Sequence, residues 1–166
     1  MVEYLCKVFD RLANAGLKLK TKKCSLFCKS VEYLGHIISE KGFTTDPRKI
    51  GAIRDMSVPA NVSELRSFLG ICSYYRKFVK DFASIAKPLH KQTEKSKSFV
   101  WSEDCQSAFE KLKATLTSAP ILAHPDFSKP FVLDTDASNF AMGAVLSQVH
   151  DGKERVIAYA SNFYKV

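Results

Sequence analysis

Two carboxylates stand at the end of the apolar run Phe131-Val132-Leu133, in the stretch Leu133-Asp134-Thr135-Asp136-Ala137-Ser138, and a second apolar run, Ala141 to Leu146, follows them. An acid leaving a strand for a turn is suited to a divalent cation, because strand packing fixes its direction while the turn leaves its oxygens accessible. Two residues apart on a strand, Asp134 and Asp136 share a face. Metal-dependent phosphoryl chemistry needs several such acids, and few residues follow Asp136 to supply them. Cys24, Cys28 and His36 are the other conceivable metal ligands. Their spacing does not match a zinc finger and no second pair exists, so reduced core cysteines are the expectation.

Basic residues are the second chemical signal. Leu17 to Val31 carries Lys18, Lys20, Lys22, Lys23 and Lys29 with no acid, Arg76, Lys77 and Lys80 form another group, and the formal charge is +8. Such clusters concentrate polyanions. Alone they do not separate a nucleic-acid partner from a solvated basic surface.

Composition bounds the rest. With 166 residues and 46% hydrophobic side chains, the chain can bury one core or two small ones. No apolar run approaches the roughly 20 residues of a membrane span, and the first residues do not read as a signal peptide, so no membrane partner is expected. An odd number of scattered cysteines points to a reducing, cytoplasmic or nuclear setting.

The elements that must position these residues follow from periodicity. Leu5, Val8, Phe9, Leu12 and Ala15 share a helical face, with Gly16 placed as a C-terminal cap. Leu17 to Leu19 and Ser25 to Cys28 read as short strands, and Val31 to Ser39 with Phe43 to Thr45 as a hairpin around Glu40-Lys41-Gly42. Asp46-Pro47 starts a helix that Pro59 terminates. Asn61 with Glu64 resembles a capping box before the apolar stripe Leu65, Phe68, Leu69, Cys72, Tyr75 and Val79. A helix from Phe82 toward His90, a polar connection at 92–98, and a helix capped by Ser102 come next. Pro120, Pro125 and Pro130 make the following segment extended. The strands 131–136, 141–149 and 154–161, the last two joined by a turn at His150 to Lys153, complete an antiparallel meander with an open edge at 154–161.

Three runs in order, Val31 to Ser39, Leu65 to Gly70 with Tyr74-Tyr75-Arg76-Lys77-Phe78, and Leu133 to Ser138 with Gly143 to Leu146, resemble the pol polyprotein of gypsy-type LTR retrotransposons. The resemblance covers essentially the whole chain. It implies an α+β fold: residues 1–45 the end of a reverse transcriptase palm, 46–86 a small helical thumb, 87–128 the connection, and 129–166 the first, incomplete antiparallel strands of a ribonuclease H-like domain. It makes Leu34, Gly35 and His36 similar to the primer grip. Arg66, Gly70 and Tyr74, one face of the thumb helix, would lie along the template-primer minor groove, with Arg76 and Lys77 as further phosphate contacts. Gly70 is unfavourable mid-helix by about 1 kcal/mol relative to alanine, and either close duplex approach or tight helix packing would compensate.

In the family, Asp136 matches the first ribonuclease H metal aspartate, and Mg²⁺ serves the hydrolysis of the RNA strand. The remaining acids, like the polymerase Tyr-x-Asp-Asp turn, are not found here. The resemblance therefore implies RNA-directed DNA synthesis with ribonuclease H as the family activity. This chain is expected to hold an RNA/DNA hybrid or template-primer duplex without turning it over, with the remainder of the pol polyprotein as partner and no small-molecule cofactor. A non-catalytic or relic fragment is the alternative.

Overall fold

A computed structural model describes residues 2–95, 97–139 and 141–164. Ser96, within the connection expected at 92–98, and residues 140, 165 and 166, within the unit expected at 129–166, lie outside the described residues. Helix α1 (Val2–Asn14) ends as Gly16 foretells: the Gly16 N–H donates to the Ala13 carbonyl at 2.9 Å and the Leu17 N–H to Leu12 at 2.9 Å, the paired bonds of a Schellman cap. None of its residues is buried.

The stretches 17–19 and 25–28 are not strands. Leu17 and Leu19 alternate as a strand's side chains would, but no described strand runs beside either stretch to complete a ladder, Phe27 is left-handed at φ 57°, and a short 3₁₀ turn at Thr21–Lys23 intervenes. Cys24 and Cys28 are exposed rather than core.

The expected single strand 31–39 is divided. β1 (Ser30–Tyr33), β2 (His36–Ser39) and β3 (Gly42–Thr45) form an antiparallel meander, with Tyr33 opposite His36. Leu34 (φ 48°) and Gly35 (φ 70°) make the first turn, both left-handed as a two-residue hairpin loop requires.

The helices form as their capping residues dictate. Asp46 accepts from the Arg48 N–H at 2.9 Å ahead of α2 (Pro47–Arg54), and Asn61 from the Glu64 N–H at 2.9 Å ahead of α3 (Val62–Tyr74). Ser102 accepts from the Cys105 N–H at 3.3 Å ahead of α5 (Glu103–Thr117). Between α3 and α5, α4 spans Phe82–Lys91 and so runs through residue 86. One core joins α2 to α5 through Ile53, Leu65, Phe68, Leu89, Phe109 and Leu116, with the Phe68 and Phe109 rings 4.6 Å apart.

A second antiparallel sheet, β4 (Val132–Ala137), β5 (Ala141–His150) and β6 (Lys153–Phe163), matches the expected meander, including the Asp151-Gly152 turn. The more open edge is β4, whose six residues are all exposed. The edge expected at 154–161 is partly engaged: Val156 O accepts from the Ala123 N–H at 2.8 Å and Ser161 O from the Arg76 guanidinium. Segment 121–123 thereby stitches the two sheets together, because Leu122 also exchanges both backbone bonds with Phe43, at 2.8 and 2.9 Å. Gly42 permits this approach, since a Cβ there would run into the Leu122 carbonyl oxygen.

Candidate nucleic-acid interface

The hairpin tip is seated on the end of α3. The Tyr75 hydroxyl donates to the Gly35 carbonyl at 2.8 Å, the Tyr74 hydroxyl donates to the Leu34 carbonyl, and the Asp46 N–H adds a second bond to Gly35 O at 3.2 Å. The His36 ring stacks on Tyr74 at 5.4 Å, meets Tyr75 edge-on at 5.5 Å and lies 5.6 Å from Phe78. Its buried Nδ1 has no hydrogen-bond partner. Burial, then the nearby Lys77 ammonium, lowers the His36 pKa, so the ring stays neutral at pH 7.

Of the predicted contacts on α3, Arg66, Gly70 and Tyr74 all lie on an exposed face. Nothing comes within 4 Å of a Cβ placed on Gly70, which removes tight helix packing as its explanation. Arg66 donates to the Thr93 carbonyl at 3.1 Å while remaining exposed. Tyr74, 52% exposed, connects this face to Leu34.

Arg76 and Lys77 follow that strip directly, in the short 3₁₀ turn Arg76–Phe78. The Arg76 guanidinium bonds the Ser161 carbonyl and lies over the Phe82 ring at 5.8 Å. Lys77 is half-buried with its ammonium 5.6 Å from the Phe43 ring and 5.3 Å from the Phe78 ring, and burial lowers its pKa. Both cations thus make contacts within the chain, which spacing alone does not reveal, while Arg76 itself remains exposed.

Asp136 faces the boundary between the second sheet and the helices. Paired with Gly143 across β4 and β5, it borders a cavity of about 590 Å³ that Lys80, Asp81, Lys111, Thr115 and Gly143 also line. Asp81 comes from a left-handed residue before α4, and its Oδ1 lies 3.0 Å from where a Cβ on Gly143 would be. Sequence reasoning missed this second carboxylate because 55 residues separate it from Asp136. Among the described residues no group of three or more His, Cys, Asp or Glu side chains is arranged to hold a cation. Among the described residues this cavity carries two carboxylates, those of Asp81 and Asp136, fewer than Mg²⁺-dependent phosphoryl chemistry needs.

A family model described as an RNase H-like domain found in reverse transcriptase matches residues 101–165, taking in α5 as well as the second sheet. Across 164 residues the chain is 40% identical to the retrovirus-related Pol polyprotein from transposon 412 of Drosophila melanogaster, covering 99% of this chain and 13% of the relative. The Drosophila transposon opus polyprotein is 44% identical over 165 residues, 93% of this chain and 16% of the relative. The chain is thus similar to retrotransposon Pol polyproteins over nearly all of its length. A Tf2-3 polyprotein of Schizosaccharomyces pombe is 40% identical over 150 residues, 90% of this chain and 11% of the relative. The chain thus spans 11% to 16% of the length of these relatives.

Solved structures agree. A foamy viral protease-reverse transcriptase in complex with double-stranded DNA superposes on 99% of this chain and 34% of its own chain, with TM-score 0.77 and 28% identity. The same kind of protein in complex with an RNA/DNA hybrid gives 99% and 22%, TM-score 0.78 and 28% identity. Among the described residues no helix is long and apolar enough to cross a membrane.

Proposed function

We propose that this chain is the duplex-holding part of a retrotransposon reverse transcriptase with ribonuclease H activity. The observation that carries the reading is the continuity of one exposed strip, Arg66, Gly70 and Tyr74 along α3, with the hairpin tip that Tyr74 meets at Leu34. A sugar-phosphate backbone can approach closely over Gly70, where no side chain intervenes. Arg66 supplies a phosphate contact that positions without reading sequence, and Tyr74 offers an amphipathic ring to the sugars. At the end of the strip, Leu34 to His36 meet the primer terminus. The palm end at 1–45, the thumb at 46–86, the connection at 87–128 and the ribonuclease H-like strands at 129–166 are the corresponding parts.

Asp136 contributes one metal-binding carboxylate to the assembled enzyme, where Mg²⁺ would stabilise charge on the scissile phosphate and activate water. The further acids come from the rest of the polyprotein, and this chain alone neither polymerises nor hydrolyses. Three exposed free thiols, Cys6, Cys24 and Cys28, fit a reducing cytoplasmic or nuclear setting.

The test is binding of a labelled RNA/DNA hybrid across a salt series. Affinity that falls with salt, a slope reduced by about one in Arg66→Ala and an unchanged slope in Lys129→Ala on the far loop support the reading. Failure to bind at low salt overturns it and favours a fragment without a nucleic-acid role. Turnover of the hybrid by the chain with Mg²⁺ overturns the assignment of catalysis to other segments.

A further inference from the structure

The two adjacent tyrosines at the end of α3 do different work. Tyr74 is 52% exposed and Tyr75 is 2% exposed, so only Tyr74 is free to meet a ligand. Tyr75 is committed inward. Its hydroxyl donates to Gly35 O across 40 residues of sequence, and its ring packs edge-on against His36 and Tyr74 and near Phe78. Space at this contact is limited: a Cβ on Gly35 would lie 2.9 Å from the Tyr75 hydroxyl, so the tip approaches Tyr75 as closely as it does because residue 35 has no side chain.

The tip also needs an external hold. Leu34 adopts φ 48°, a left-handed conformation that is unfavourable for a leucine and persists only where surrounding contacts over-determine it. Leu34 is 67% exposed, so its own side chain contributes little packing. The two tip carbonyls add to the hold of the β1–β2 ladder, and the one at Gly35 is part-buried and doubly bonded, by Tyr75 and by the Asp46 N–H.

We infer that Tyr75 is a positioning residue: through its hydrogen bond to Gly35 it sets where the 34–36 tip stands relative to α3, and hence where a primer 3′ end is held. This rests on the duplex-holding reading given above. Tyr75 does not touch nucleic acid. Removing its hydroxyl lets the tip drift while α3 and the helical core keep their packing.

The experiment compares the full chain with Tyr75→Phe and Gly35→Ala by two readouts: hydrogen exchange of the hairpin amides at 30–46 against those of α3 and α4, and affinity for a template-primer with a recessed 3′ end against a blunt duplex of the same length. Tyr75→Phe is expected to speed hairpin exchange by about threefold to tenfold, the loss of one hydrogen bond, with helix exchange unchanged. The same variant is expected to lose preference for the recessed end without losing blunt-duplex affinity. Gly35→Ala, which pushes the hydroxyl away and also puts a side chain on a left-handed residue at φ 70°, is expected to speed hairpin exchange at least as much, and its backbone strain persists when it is combined with Tyr75→Phe. Hairpin exchange unchanged in Tyr75→Phe, or raised equally in α3 and α4, overturns the positioning role. A wild-type chain that binds recessed and blunt duplexes alike overturns the duplex-holding reading instead, and the exchange data still decide whether Tyr75 holds the tip.

Discussion

The Ala83 N–H donates to the Ser161 hydroxyl at 2.9 Å, a buried hydrogen bond between the first turn of α4 and strand β6. Early amides of a helix lack intrahelical acceptors and are usually satisfied by a capping side chain nearby in sequence. Here Asp81 is left-handed and makes no cap bond, and the acceptor comes from 78 residues away. The same serine's carbonyl accepts from Arg76, so Ser161 ties the second sheet to the helices by both its side chain and its backbone.

Ser161→Ala is therefore expected to destabilise the chain by about 1 to 2 kcal/mol, since it strands a buried helix donor. Thermal unfolding should show a midpoint lowered by about 2–8 °C. An unchanged midpoint would mean that the amide finds another acceptor.

Gly42→Ala and Gly70→Ala should have opposite effects on stability. At Gly42 (φ 129°) a methyl meets the Leu122 carbonyl, and the bridge between Phe43 and Leu122 must open, at a cost of about 2 kcal/mol or more. At Gly70 the space is open, and the gain in helix propensity is up to about 1 kcal/mol. Urea unfolding of both variants measures this. In the duplex-holding reading, the stabilised Gly70→Ala chain should nonetheless bind a hybrid more weakly.

Acid should destabilise the fold through two histidines. Burial lowers the His36 pKa, with Lys77 second; burial lowers that of His90, with Arg76 second. A depressed pKa in the folded state means that the unfolded chain binds more protons in that range. The contribution is complete above the ordinary imidazole value of 6.5 and is lost as pH falls from there through the lower folded-state values. Denaturation midpoints between about pH 7.5 and 5 should show a decline that His36→Phe reduces; an identical slope in the variant would exclude His36 as its source.

Thiol reactivity should divide the cysteines by burial. Cys6, Cys24 and Cys28 are exposed while Cys72 and Cys105 are buried, and desolvation pushes the Cys72 thiol up to about 12. A chromogenic disulfide reagent at pH 8 should therefore titrate three thiols quickly in the native chain and all five after unfolding. Rapid native labelling of Cys72 would show that the α3 core opens readily.

Local signals were legible where the physics is local. Asp46, Asn61 and Ser102 cap their helices as read from the chain because a cap needs only a side-chain oxygen and an amide two or three residues on. The meander around Asp136 was legible for a similar reason: alternation and the Asp151-Gly152 turn define register between adjacent strands. The break at Leu34-Gly35 was not, because leucine is a poor marker for a left-handed turn residue. Stretches 17–19 and 25–28 have strand-like composition, yet a strand exists only with a partner.

Sequence by itself determined the helices, the second sheet and the order of motifs by which the chain resembles the Pol polyproteins, since each depends on spacings of a few residues. Tertiary structure alone decided that Tyr74 and Tyr75 seat the hairpin, that Arg76 and Lys77 turn to internal partners, that Asp81 stands across Gly143 from Asp136, and that Ser161 caps α4. Those pairings join residues tens of positions apart. Which of many chemically competent partners meets a given donor or cation is set by how the whole core packs, and no local pattern encodes that choice.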